Sequence, residues 1–100
     1  MTDTAFETRA DALLATLEEE IAAAEDAELQ GGILTVDGDK GTWVVNKHAP
    51  TRQIWLSSPL SGARHFAFDA PSGQWRDTRG GPDLLSLLSA ELGLSLGGAS

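Results

Sequence analysis

Residues 46–59, which read NKHAPTRQIWLSSP, constrain the fold of this chain more than any other stretch. Ile54 and Leu56 alternate with Trp55 and its polar neighbours, which is the two-residue period of a strand with one buried face and one face in water. The HAPTR segment before this strand contains a proline that fixes one backbone angle and removes a donor, so it predicts a turn from a preceding strand. The stretch therefore predicts a tight antiparallel strand pair with Trp55 on the face that is exposed to water, called the wet face below.

Three side chains of this strand pair, Asn46, Gln53 and Trp55, are predicted to lie together on the wet face as a partner-binding site. A large aromatic side chain in water calls for an explanation, and tryptophan is strongly enriched among the anchors of protein interfaces. The alternative is that neighbouring side chains cover Trp55 and that it binds nothing. The sequence leaves both interpretations open.

Composition narrows the classes of protein to which the chain can belong. Its 100 residues, of which 41% are hydrophobic and 22% are charged, predict a single globular domain over residues 1–100. The chain has no cysteine, which excludes disulfides, thiolate metal sites and cysteine nucleophiles. Its net charge of -8 opposes binding to nucleic acid or to an anionic membrane, and favours cations and basic protein surfaces.

The rest of the chain predicts a helix at each end of a series of strands. Thr4 and Glu7 form a T-x-x-E capping box, which predicts that the first helix begins near Ala5. Asp83 is a suitable N-cap for a second helix, and Gly93 is suited to end it. Between the helices, five β-rich or alternating runs are predicted as strands, at residues 33–36, 42–47, 53–57, 63–68 and 74–77.

This order predicts an α+β two-layer sandwich, in which two helices pack on one face of an antiparallel sheet of about five to six strands. Trp43 and Trp75 are predicted in its core, whereas the other sheet face stays in water and carries Trp55. The first helix offers an apolar stripe for the packing, formed by Phe6, Ala10, Leu13, Leu14, Leu17 and Ile21.

Acidic residues beside this stripe form a candidate metal site. At about 100° per residue, Glu7, Asp11 and Glu18 fall close together on the helix. Carboxylate oxygens are the preferred ligands of hard divalent cations. The alternative is an ordinary solvated helix face. The complete candidate set continues beyond the helix and consists of Glu7, Asp11, Glu18, Glu25, Asp26 and Glu28.

Residues 41–62, GTWVVNKHAPTRQIWLSSPLSG, closely resemble the signature of the frataxin family, in which a glycine, an aromatic residue and an NKQ-like turn lead into QIWLSSP. The resemblance extends more loosely to residues 28–36, to Trp75 and to residues 83–92. It implies the two-layer fold, an acidic ridge that binds iron (Fe2+ or Fe3+) weakly, and a sheet face that contacts the iron–sulfur scaffold protein. The implied function is that of an accessory and regulatory factor of iron–sulfur cluster assembly, which docks on the complex of cysteine desulfurase and scaffold.

No catalytic residue is predicted. The chain has two histidines, His48 and His65, and a catalytic pairing with Ser57 would also need an orienting acid and an oxyanion hole, for which no motif is present. The resemblance leaves open a second function, an oligomeric iron oxidase or iron store with ferroxidase activity. A third interpretation is an acidic adaptor without any metal.

The oligomeric state and the location are further expectations. A monomer is expected, and the resemblance leaves oligomerisation with iron open. The N-terminal sequence lacks both the apolar core of a signal peptide and the Arg- and Ser-rich composition of a transit peptide. The expected location is therefore the bacterial cytoplasm, or the mitochondrial matrix if the chain is the trimmed form of a eukaryotic protein.

Overall fold

A computed structural model describes residues 2–96. The elements follow in the order α1 (Asp3–Ala22), β1 (Asp26–Gln30), β2 (Ile33–Gly38), β3 (Gly41–His48), β4 (Gln53–Ser58), β5 (Gly62–Asp69), β6 (Gln74–Asp77) and α2 (Leu84–Leu92). A short 3-10 helix, Ala49–Thr51, lies between β3 and β4. Both helices pack on one face of the sheet, which confirms the predicted α+β sandwich.

In the part of the chain that the structure describes, the sheet has six strands in the order of the sequence, and every neighbouring pair is antiparallel. The prediction that the first strand begins at Ile33 was wrong, because β1 precedes it and pairs with β2 from Asp26 opposite Asp37 to Gln30 opposite Ile33. Strand β1 does alternate, with Ala27 and Leu29 half-buried between exposed polar residues, but it is only five residues long and lacks β-branched and aromatic residues, so its composition does not mark a strand.

Helix α1 begins two residues earlier than the capping box predicted. Its N-cap is Thr2, whose Oγ1 accepts a hydrogen bond from the Ala5 N–H at 3.1 Å. Thr4 lies inside the helix. Thr2 and Thr4 are two residues apart and either can serve as a cap, so the sequence motif alone does not distinguish them.

The core lies between the helices and the inner face of the sheet. Trp43 and Trp75 are 1% and 6% exposed, which confirms that both tryptophans are core residues. Strand β4 contributes Ile54 and Leu56, which are 0% and 2% exposed. The apolar stripe of α1 is buried at Phe6, Ala10, Leu14, Leu17 and Ile21, and Leu13 packs partly buried against the same cluster.

Helix α2 begins and ends at the residues that its sequence predicted. The Asp83 carboxylate accepts a hydrogen bond from the Ser86 N–H at 3.2 Å, and Gly93 adopts a left-handed conformation with φ of 70°. Leu94 and Leu96 follow the helix and pack against the core. Within residues 2–96, none of the helices has the length and apolar character needed to cross a membrane.

Candidate functional site

The pairing of β3 with β4 places the predicted partner-binding residues on the open face of the sheet. Asn46 lies opposite Trp55, and Gln53 lies opposite His48. All three predicted residues are half-buried, because neighbouring side chains on the same face partly cover them. The open face therefore presents the Trp55 indole beside two amide side chains.

Trp55 is stacked between the two histidines of the chain. Its ring lies parallel to that of His48, with 3.6 Å between the ring centroids, and parallel to that of His65, with 4.3 Å between the centroids. The Trp55 Nε1–H donates a hydrogen bond to the Gln53 Oε1 at 2.8 Å. Both faces of the indole are therefore covered, and its edge is the part that a partner can reach.

Neither histidine is predicted from the sequence to contact Trp55. The ring Nδ1 of His48 lies 2.8 Å from the Thr51 Oγ1, which restrains the ring beside Trp55. His65 lies directly opposite Trp55 in the pairing of β4 with β5. The register that brings the two rings together is set by the turn between β4 and β5.

Two of the predicted metal ligands, Glu7 and Asp11, are engaged by a lysine from the sheet. The Lys47 Nζ lies 2.5 Å from the Glu7 Oε2 and 2.9 Å from the Asp11 Oδ1. Hydrogen bonds to Glu7 and then to Asp11 raise the pKa of Lys47 above its ordinary value, against the opposing effect of burial. Lys47 therefore stays protonated and holds both carboxylates.

A third predicted ligand, Glu18, binds the edge of the sheet. Its Oε2 accepts a hydrogen bond from the Leu29 N–H at 2.9 Å. Among residues 2–96, no strand pairs with the outer side of β1, so this backbone donor has no partner within the sheet. Glu18 thus fastens β1 to helix α1.

The other predicted ligands lie near the C-terminal end of α1 and along β1. Glu25 lies beside Gly38, where a Cβ added to the glycine would come within 3.4 Å of the Glu25 Oε2. Asp26 is exposed and lies opposite Asp37 in the ladder. Glu28 is exposed and lies opposite Thr35.

The six carboxylates form a series of separate positions, and they do not converge on one point. Across residues 2–96, no three side chains of histidine, aspartate or glutamate are grouped in a way that could hold a metal ion. Exposed carboxylates suit hard divalent cations, but a cation bound to one or two of them keeps much of its water. Such an arrangement supports weak binding along a surface.

A further charged group, Glu91, lies between α2 and the sheet and was missed from the sequence. Its Oε1 accepts hydrogen bonds from the Trp43 Nε1–H at 2.9 Å and from the Ser58 hydroxyl at 2.6 Å. Burial would raise the pKa of Glu91, but the hydrogen bonds from Ser58, Trp43 and Ser61, with the positive charge of Arg64, outweigh it, and the pKa is lowered. Glu91 is therefore ionised, and its hydrogen bonds connect α2 to the sheet.

The sequence of the chain matches that of a known protein family. A sequence model of the Frataxin-like domain matches residues 1–98. The chain belongs to the frataxin family. The predicted resemblance is thereby confirmed, and the family is linked to iron binding and to iron–sulfur cluster assembly.

Curated frataxins from eukaryotes are similar to the chain over most of its length. "Frataxin, mitochondrial" of Dictyostelium discoideum is 42% identical over 90% of this chain and 47% of its own length. "Frataxin-like protein, mitochondrial" of Leishmania donovani is 38% identical over 98% of this chain and 58% of its own length. The chain thus spans about half the length of these frataxins, both of which are described as mitochondrial.

Solved frataxin structures share the fold. Frataxin from Psychromonas ingrahamii superimposes with a TM-score of 0.80 at 30% identity, over 92% of this chain and 89% of that chain. Trimeric frataxin from the yeast Saccharomyces cerevisiae, complexed with ferrous iron, superimposes with a TM-score of 0.69 at 37% identity, over 93% of this chain and 84% of that chain. The two-layer arrangement seen here is therefore the frataxin fold.

Proposed function

We propose that this frataxin is an iron-binding accessory factor of iron–sulfur cluster assembly, which docks on the complex of cysteine desulfurase and scaffold protein. The observation that carries the proposal is the pairing of Asn46 with Trp55 on the open sheet face, with Gln53 bonded to the indole. An aromatic group with a rim of amide side chains is the composition expected of an interface anchor. The chain would act through its surfaces and supply no catalytic group of its own.

Iron binding is the second part of the proposal, and the acidic series from Glu7 to Glu28 supports it. Because these carboxylates are separate and none of them is buried, binding should be weak and sensitive to salt. Titration with Fe(II) without oxygen, or with Co(II), should shift the backbone amide signals of α1 and β1 before those of residues 63–77. Shifts centred on His48 and His65 would contradict this assignment.

An oligomeric iron oxidase or iron store is the second candidate function. The observation that favours it is the yeast neighbour, which is trimeric and complexed with ferrous iron. This function requires Fe(II) oxidation that depends on oxygen and saturates with the amount of protein. A metal-independent adaptor is the third candidate, and it requires that iron leave the amide signals of α1 unchanged.

A desulfurase assay with scaffold protein tests the proposal directly. Sulfide release and cluster formation are measured with and without this protein, each in the presence and absence of Fe(II). The proposed function predicts that the protein changes the rate and that iron modulates the change. An unchanged rate under all conditions would contradict it. The proposed location is the compartment of cluster assembly, which is the bacterial cytoplasm or the mitochondrial matrix.

A further inference from the structure

A polar cavity of about 540 Å³ lies at one end of the sheet, between the turn that joins β4 to β5 and the loop that follows β6. The charged groups in its lining are Arg64, Asp77 and Arg79, and His65 lines it as well. We infer that this cavity binds a carboxylate side chain of the protein that docks on the open sheet face. The inference rests on the proposed docking and adds a second contact to it.

The carboxylate of Asp77 is already neutralised within the fold. Its side chain is 4% exposed, and its Oδ2 lies 2.8 Å from the Arg64 Nη1. Its Oδ1 accepts a hydrogen bond from the Arg79 N–H at 2.8 Å, so both oxygens have donors. The described lining thus holds two guanidinium groups against one carboxylate, an excess of positive charge in a chain whose net charge is -8.

Arg64 keeps hydrogen-bonding capacity that the fold does not use. It lies opposite Leu56, which is buried, so its side chain leaves β5 on the core side of the sheet. Its Nη1 binds Asp77, but its Nε is buried and has no hydrogen-bond partner within residues 2–96. Buried donors without a partner are rare in folded proteins. A guanidinium can bind a second carboxylate through the edge that carries Nε, because arginine and carboxylates match in a geometry of two parallel hydrogen bonds.

Arg79 supplies a second cation at the cavity. Its side chain is exposed, and in the part of the chain that the structure describes it forms no ion pair. Acidic residues outnumber lysine and arginine by 15 to 7, so an arginine without an acidic partner is unusual in this chain. Its charge is therefore available to a group from outside.

The loop after β6 leaves the cavity open. A Cβ added to Gly81 would lie 2.7 Å from the Asp77 Oδ2 and 2.9 Å from the Arg64 Nη1. The glycine thus lets the loop backbone pack directly on the ion pair. Because neither Gly80 nor Gly81 carries a side chain, neither narrows the approach to the two guanidinium groups.

His65 connects the cavity to the docking face. It lines the cavity, and its ring stacks on Trp55 with 4.3 Å between the centroids. A partner that contacts the indole edge therefore lies directly beside the cavity. We assign the carboxylate to this partner because the net charge of -8 repels small anions, whereas a partner held at Trp55 brings its carboxylate to the cavity at high local concentration.

The test compares the wild type with Arg79→Gln, Arg64→Lys and Lys40→Gln. Arg64→Lys keeps a positive charge beside Asp77 but removes the Nε–H and the planar fork. Lys40 is exposed in the turn between β2 and β3 and lies outside the cavity lining, so Lys40→Gln makes the same change in net charge as Arg79→Gln. Thermal unfolding verifies that every variant is folded.

Two titrations are made with each protein. In the first, sodium acetate replaces sodium chloride at constant ionic strength, while NMR follows the Arg64 Nε–H signal and the backbone amides of residues 79–81. In the second, the protein is titrated with the scaffold protein. The acetate titration reports on the cavity alone, and the scaffold titration reports on the source of the carboxylate.

Acetate should shift the cavity signals of the wild type and of Lys40→Gln, and should shift those of Arg79→Gln less. Arg79→Gln and Arg64→Lys should bind the scaffold protein about 3- to 10-fold more weakly, whereas Lys40→Gln should bind like the wild type. Unchanged cavity signals in acetate, or equal scaffold binding by Arg79→Gln and Lys40→Gln, would overturn the inference. A wild type that does not bind the scaffold protein would contradict the proposed docking and the assignment to a partner, while the acetate titration would still report on the cavity.

Discussion

Trp55 and His48 lie face to face across the open sheet, with their ring planes 11° apart and their centroids 3.6 Å apart. His65 stacks on the other side of Trp55, so the indole is the middle one of three stacked rings. A partner therefore meets an edge that is fixed in orientation before binding. Pre-organisation of this kind reduces the entropy lost when an anchor is immobilised in a complex.

Removal of either histidine should release the indole. His48→Ala and His65→Ala each delete one stacked ring, so Trp55 should become more accessible to water, and stability should fall by about 0.5–1.5 kcal/mol. The emission of Trp55 should shift to longer wavelength and become easier to quench with acrylamide. The spectrum of each protein minus that of its Trp55→Phe form isolates this signal, and unchanged emission would contradict the stack.

The core prediction compares neighbouring residues of α1. Leu17 is 1% exposed in the middle of the buried stripe, so Leu17→Ala should lower the free energy of unfolding by about 2–5 kcal/mol. Glu18→Ala should cost about 0.5–1.5 kcal/mol, because it removes one hydrogen bond to the edge strand. Urea unfolding measures both, and equal losses would mean that the helix face has been assigned wrongly.

Glu91 should make the stability of the folded protein depend on pH in the acidic range. Its pKa is lowered in the folded protein, so the stabilisation is present above the ordinary value of 4.5 and is lost as the pH falls through the folded pKa. Glu91→Gln should destabilise the protein by about 1–3 kcal/mol at pH 7, because it weakens hydrogen bonds to a charged acceptor.

The difference between wild type and Glu91→Gln should narrow as the pH falls below 4.5, because the carboxylate of the unfolded wild type is protonated first and that of the folded protein only at its lower pKa. Chemical unfolding at a series of pH values measures it. A difference that stays constant from pH 7 down through this range would show that the charge of Glu91 does not contribute.

The sequence predicted those features that rest on strong alternation or on a long apolar stripe. Ile54 and Leu56 mark β4 because both are buried and their neighbours are not. Strand β1 was not predicted because its five residues, although they alternate, include no β-branched or aromatic residue. The N-cap of α1 was predicted at Thr4 and lies at Thr2, because local backbone geometry that the motif does not encode determines which residue caps the helix.

The candidate site was predictable in its residue types but not in its pairings. The sequence identified Glu7 and Asp11 as carboxylates on one side of a helix, yet the ion pairs to Lys47 join residues that are far apart in the chain. The alternation of β3 does offer a signal, because it turns Lys47 toward the core, where a cation needs an anionic partner. The stacking of His65 on Trp55 required the register between β4 and β5.

The most direct test of the docking face is Trp55→Ala, compared with the wild type and with Ser57→Ala. Ser57 is exposed on the same strand and serves as the control for a side chain removed from the open face. Each protein is titrated with the scaffold protein, and its thermal unfolding is measured in parallel.

Trp55→Ala should weaken scaffold binding by at least about 2 kcal/mol, which is more than about tenfold in Kd. It should also lower the free energy of unfolding by about 1–3 kcal/mol, because it removes both ring contacts of the indole. Ser57→Ala should bind and unfold like the wild type. A loss of stability in Trp55→Ala with scaffold binding by the folded fraction unchanged would contradict the docking role and make Trp55 a structural residue.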